Sequence, residues 1–363
     1  MVKQITLACC FTSASIVTPA IYADAFSMPG GLQSIQFVTV GNAGNTADTR
    51  YNPSGYGAVN YSFGMSKFEI TAGQYTVFLN AVAKTDTYKL YNTNMWDYNA
   101  DPSNGPFVAK IQRNGTSGNY SYSVASDWAD RPVNWVSWAD TARFSNWLTN
   151  GQPTGGQNAS TTEDGAYRIN GIDQANNSAI MQISRIAESS RVLGKSYFFI
   201  PTQDEWYKAA YHKNDGITGN YWYYPTGTDV APGNSTEAPD SGNNANLKAT
   251  PFAQPDGYAV GSPYYRSVVG VFQYSESPYG TYDQAGNVVE WTETSTDGTT
   301  RIFRGGSFID IASEAGAAAY QSRQPYIEDS GIGFRIIVVP EPSTVSLLTI
   351  GCTLLLLRRK RKL

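Results

Sequence analysis

The chain has 363 residues, 41% of them hydrophobic and 15% charged, with a net charge of −4. That is enough apolar material for a sizeable core and too little basic charge for phosphate-backbone binding, so nucleic acid is not an expected partner. All three cysteines (Cys9, Cys10, Cys352) lie in terminal apolar runs and His212 is the only histidine. The body therefore excludes a disulfide framework, a thiolate metal site, a cysteine nucleophile and a multi-histidine iron or zinc centre, and it argues against a serine–histidine–acid triad.

In chain order, Lys3, the apolar run Ile5–Val17 and Ala23-Asp24-Ala25 predict a secretory signal peptide over residues 1–25, hence passage through the Sec export machinery. Ile35–Val40 alternates and reads as a strand. Gly41–Asn52 reads as a loop and Gly57–Ile70 as a strand pair. Thr71 can cap a helix whose apolar face is Tyr75, Phe78, Leu79 and Val82. Lys84–Asp130 is polar and aromatic, with short strands expected near Phe107–Ile111 and Tyr120–Val124. Ser137 caps a second helix, Trp138–Leu148. Gly151–Ser190 has few large apolar residues and reads as an extended excursion. Tyr197–Ile200 is a buried strand, and Thr202 with Glu205 forms a capping box that opens the helix Asp204–His212. Ile217–Tyr279 is turn-rich.

The end of the chain, residues 339–363, has three parts: Pro340-Glu341-Pro342, the apolar run Thr344–Leu357, and the basic cluster Arg358–Lys362. The apolar run is shorter than the ~20 residues usual for a span, and the basic cluster would stay cytoplasmic. This tail resembles the PEP-CTERM sorting signal. The resemblance implies a bacterial exported protein, held by a transient transmembrane helix until an exosortase cleaves it, then retained in the cell envelope or secreted.

Two blocks carry the most chemistry: Gly280–Trp291 (Gly-Thr-Tyr-Asp-Gln-Ala-Gly-Asn-Val-Val-Glu-Trp) and Arg304-Gly-Gly-Ser-Phe308. With Lys67-Phe-Glu-Ile-Thr, Arg131-Pro-Val-Asn-Trp-Val, Ile200-Pro-Thr-Gln-Asp-Glu-Trp and Gly331-Ile-Gly-Phe-Arg335, they resemble the sulfatase-modifying-factor, or formylglycine-generating-enzyme, family across residues 35–338. The resemblance implies a loop-rich α+β domain with a C-type-lectin-like fold. It also implies two structural calcium sites. One would use Asp283, Glu290 and the carbonyls of Gly286 and Val288. The other would use Asn246, Asp256 and the carbonyls of Leu247 and Tyr258. Mixed carboxylate, amide and carbonyl oxygens suit Ca2+, although Val289 stands where the family usually has Trp.

The family's oxidases hold Cu(I) with two thiolates, as a soft ion requires. The matching positions here are Asp310 and Ala315, so no copper is expected. A second branch, performing iron-dependent sulfur–carbon bond formation, needs histidines that this chain lacks. Asp310, Tyr320, Arg323 and Trp291 flank the vacated positions and are the candidates for lining a pocket there. Trp96, Tyr98, Trp222, Tyr223 and Tyr224 are candidate exposed aromatics. The expected function is a noncatalytic binding or structural module whose partner is an exopolysaccharide or a surface protein. The alternative is an enzyme of the same family with unknown chemistry at the pocket near Asp310.

Overall fold

The computed structural model describes residues 34–97, 107–173, 175–249 and 257–339. Strands β1 (Phe37–Val40) and β2 (Phe63–Ser66) pair antiparallel, and only one strand forms where the sequence suggested a pair. Thr71 then opens helix α1 (Ala72–Val82) through a reciprocal capping box with Gln74. The hairpin β3 (Ile111–Asn114) and β4 (Ser121–Val124) follows, its first strand starting where the expected one ended. Ser137 and Asp140 box the start of helix α2 (Trp138–Thr149), and a short α3 (Asn177–Met181) interrupts the excursion. Strand β5 (Tyr197–Phe199) leads to helix α4 (Gln203–Tyr211), boxed by Thr202 and Glu205. The remaining strands are β6 (Val289–Trp291), β7 (Arg301–Arg304), β8 (Gln321–Arg323), β9 (Ile332–Gly333) and β10 (Ile337–Val339).

The main sheet has the order β1-β2-β10-β5 and a second has β8-β7-β6-β9, with β6 parallel to β9. The last strand, β10, inserts between β2 and β5, so the end of the domain closes its core. Both faces of this sheet are covered. Strand alternation sends Phe198 and Val338 into one apolar cluster, with Tyr75, Phe78 and Phe144 from α1 and α2. It sends Tyr197, Phe199, Ile337 and Val339 into another, with Trp138 and Trp291. This double burial is why β5 and β10 read as unbroken apolar runs.

Every residue of α2 is buried, polar ones included. The excursion makes that possible. Arg143 pairs with Glu163 at 2.8 Å, and Asn146 donates to the carbonyls of Thr162 and Tyr167. A segment poor in large apolar residues is thus pinned by polar bonds onto a helix that needs partners for its own polar groups.

No helix among the described residues is long and apolar enough to cross a membrane. The apolar run 344–357 and the motif Pro340-Glu341-Pro342 lie outside those residues, as do Asp256 and Tyr98.

Candidate functional site

The loop entering β6 turns through three left-handed residues, Asp283 (φ 60°), Gly286 (φ 84°) and Asn287 (φ 61°). Gly286 is dictated by space as well, since a Cβ there would sit 2.3 Å from the Asn246 carbonyl oxygen. That approach lets Asn246 and Gly286 form a parallel bridge. The Asn287 N–H donates to Asn246 O at 3.0 Å, and Asn246 Nδ2 donates to Asn287 Oδ1 at 2.8 Å. The structure therefore brings together the two loops that the sequence offered as separate sites.

Glu290, on β6, is fully buried and already well supplied with donors. Arg335 gives it two bonds, Nε at 2.5 Å and Nη2 at 2.7 Å, and the Trp206 indole N–H a third at 2.6 Å. Arg335 is itself buried, and it also donates to the carbonyls of Ser66 and Tyr282. In this geometry Glu290 is first the counter-ion of Arg335. Asp283 accepts from the Gly270 N–H at 2.6 Å, and burial pushes its carboxyl up to about 6. Glu69, which sequence reasoning passed over, lies close enough for its charge to act on both. Burial, then Asp283 and Glu290, raise its carboxyl well above the usual range. Three carboxyl groups thus face the Arg335 guanidinium, and the buried Arg266 acts on Glu69 as well. The signal for Glu69 was a lone acid in the otherwise apolar run Phe68–Ile70.

Two oxygens here bear on calcium. Glu69 Oε1 and Asn246 Oδ1 are buried without a hydrogen-bond partner, and buried acceptors ordinarily have one. Among the described residues no three His, Cys, Asp or Glu side chains converge as a metal cluster. A cation here would depend on amide and carbonyl oxygens as well, which is the donor set of calcium. Part of that donor set is present, with Glu290 already engaged by Arg335 and Trp206. Asn246 supplies an orphaned amide oxygen. The Leu247 carbonyl has Asn234 Nδ2 at 3.2 Å. Tyr258 packs its ring on Tyr265 and Phe308.

The other candidate region does not assemble as the sequence suggested. Asp310 folds back on its own turn, where its Oδ2 accepts from Ser307 N at 2.9 Å and Ser307 Oγ at 2.7 Å. Ala315 is buried against Ala245, Leu247 and Ala285. Tyr320 is exposed, and Arg323 forms a surface ion pair with Asp329 at 3.2 Å. Trp291 is no pocket residue. It is wholly buried, donates its indole N–H to Val136 O at 3.1 Å and packs edge-on to Phe303. Strand β6 has neighbours on both sides and is buried on both faces, so Trp291 has no open side to present. His212 is also internal, bonded to the Tyr279 hydroxyl at 2.8 Å, with burial lowering its basicity. Of the aromatic candidates, Trp96 is exposed beneath Lys110, and Trp222 lies under Lys213.

A mixed α+β core carrying long ordered loops, with a buried Arg–Glu knot at its centre, defines a class of domain rather than a reaction. Residues 23–339 match the sulfatase-modifying factor enzyme 1-like domain, and the chain belongs to that family. A bovine (Bos taurus) relative, "Inactive C-alpha-formylglycine-generating enzyme 2", is 31% identical over 150 residues, 38% of this chain and 42% of that one. The aligned part is thus less than half of the relative's length. Among solved structures, CarF aligns with 84% of this chain and 97% of its own at 18% identity and a TM-score of 0.48. Treponema denticola variable protein 1 aligns with 85% and 97% at 16% identity and 0.47. The domain has the formylglycine-generating-enzyme fold.

Proposed function

We propose that this domain is a noncatalytic binding or structural module of an exported protein, stabilised by calcium at the Asp283–Glu290 and Asn246–Tyr258 loops. The observation that carries the reading is the filling of the two positions where the oxidases keep sulfur. One holds a carboxylate spent on its own turn, the other a methyl group packed among alanines. Neither can bind Cu(I) or exchange a disulfide with a substrate thiol. The name "inactive" borne by the bovine relative is in keeping with this.

Export through Sec and release by an exosortase rest on the two terminal sequence patterns, and an envelope or extracellular setting supplies millimolar calcium for modest-affinity sites. The partner is then an exopolysaccharide or a surface protein. Incubating the purified protein with a cysteine-containing sulfatase-motif peptide, copper and oxygen is the direct test. No aldehyde is expected, and aldehyde at the rate of a working oxidase would end the proposal. Replacing Glu341 and Pro342 should leave the tail uncleaved in the parent cell, and normal processing would remove the sorting part of the reading.

A further inference from the structure

The two segments whose role the sequence left open, Lys84–Asp130 and Gly151–Ser190, meet at one place. Between them lies a cleft of about 550 Å³, within the usual range for small-ligand sites. Its walls include Tyr91, Arg113, Tyr120, Asp173, Tyr326 and Glu328. The hairpin β3–β4 supplies Arg113 and Tyr120, the excursion supplies Asp173, and the loop before β9 supplies Tyr326 and Glu328.

Arg113 is held between two tyrosines and a carboxylate. Its guanidinium lies 4.7 Å from the centre of the Tyr91 ring and 4.4 Å from that of Tyr120, and Asp86 anchors it at 3.3 Å. Asp86 is fixed in turn by the N–H groups of Leu90 and Tyr91. Glu328 accepts from Asn92 Nδ2 at 2.6 Å. The cleft thus offers orientated polar groups beside the exposed ring of Tyr326, and a tyrosine presents such a face at low entropic cost. A pyranose has that double character, with apolar C–H faces and a rim of hydroxyls that both donate and accept. The charge balance narrows the choice. Asp86, Asp173 and Glu328 outnumber Lys89 and Arg113 among the lining residues, which disfavours phosphate, sulfate and uronate.

We infer that the cleft between the β3–β4 hairpin and the Tyr326–Glu328 loop is a binding site for neutral saccharide chains. The inference rests on the binding-module reading and gives its partner a chemical class. The test titrates the purified full-length protein with neutral oligosaccharides of glucose, galactose and N-acetylglucosamine, with oligogalacturonate as the charged control. Saturable binding to a neutral chain is expected. Tyr326→Ala and Glu328→Gln should each weaken it about tenfold or more, a loss of about 1.4 kcal/mol, without moving the melting temperature. Tyr274→Ala, an exposed tyrosine outside the lining, should change nothing. No saturation by about 10 mM sugar, equal affinity in the cleft variants, a preference for the uronate, or binding only to basic peptides would each overturn the site. Aldehyde formation in the oxidase assay would instead overturn the noncatalytic reading while leaving sugar binding standing.

Discussion

Glu290 and Asp310 are both carboxylates close to glycine-containing loops, yet the structure uses their side chains in opposite ways. Glu290 is bound by Arg335, 45 residues away, and by Trp206, 84 residues away. It ties β6, α4 and the segment between β9 and β10 into one knot. The Asp310 carboxylate accepts from Ser307, three residues back, while its backbone carbonyl takes the Lys248 N–H at 2.7 Å. The first region is held by long-range bonds among buried charged groups, which fail together if one is lost. In the second only the carboxylate is held locally, the backbone of its turn being tied to Lys248 and, at Phe308, to Asn287. On the proposed noncatalytic reading the frame outlasts the chemistry, because the groups that keep it standing are not those at the two oxidase positions.

The largest expected effect breaks the first region. Arg335→Met leaves Glu290 buried beside Asp283 and Glu69 with no cation, and removing one partner of a buried pair costs about 3–5 kcal/mol. Equilibrium urea denaturation should show that loss or outright misfolding. Adding Glu290→Gln to the variant should recover part of it, because the uncompensated charge is then removed. An Arg335→Met protein as stable as the parent would mean the knot is not what holds the two sheets together.

Calcium sharpens the same side of the comparison. Chelation should lower the melting temperature, by the equivalent of about 2.7 kcal/mol if calcium had been present at a hundred times its Kd. With chelator present, pH reveals the charge left uncompensated. The folded carboxyl of Asp283 binds its proton up to about 6 against an ordinary value of 3.8. Between those values the folded state holds more protons than the unfolded one, so stability falls as pH rises. Glu69 shifts in the same direction. The chelated protein should melt at a lower temperature at pH 7 than at about pH 5, and calcium should reduce that difference. A melt indifferent to chelator at both pH values would remove calcium from the account.

A smaller loss is expected from Gly286→Ala. It forces an L side chain into a left-handed turn and against the Asn246 carbonyl, at a cost of about 1–3 kcal/mol. If the two loops form one unit, the variant should also need more calcium to recover its melting temperature.

How much of this could be read beforehand follows the same division between local and distant bonds. The three helix starts at Thr71, Ser137 and Thr202 were legible, because a cap needs only residues three apart. So were the strands at Phe37–Val40 and Tyr197–Phe199, whose alternation or apolar run is itself the signal. The insertion of β10 between β2 and β5 was not, since no local pattern records which edge a strand will join. Glu69 escaped for the same reason, as its partners lie more than 200 residues further on. Trp291 was misplaced because it closes the loop block Gly280–Trp291 in the sequence, whereas its neighbours in space are Val136 and Phe303. The cleft was invisible because it is made by three segments far apart in the sequence, the β3–β4 region, the excursion and the Tyr326–Glu328 loop.

The smallest effect should come from the second region, and its smallness is what tests the contrast. Asp310→Ala removes two hydrogen bonds within a single turn, where the carboxylate is only half-buried and water can take its place. A loss of about 1 kcal/mol is expected, with calcium dependence and saccharide affinity unchanged. Thermal melts of Asp310→Ala and Arg335→Met, read side by side, then measure the difference directly. If Asp310→Ala proved as damaging as Arg335→Met, the loop after Ser307 would be part of the frame, and its missing thiols could no longer be regarded as a loss that the fold tolerates freely.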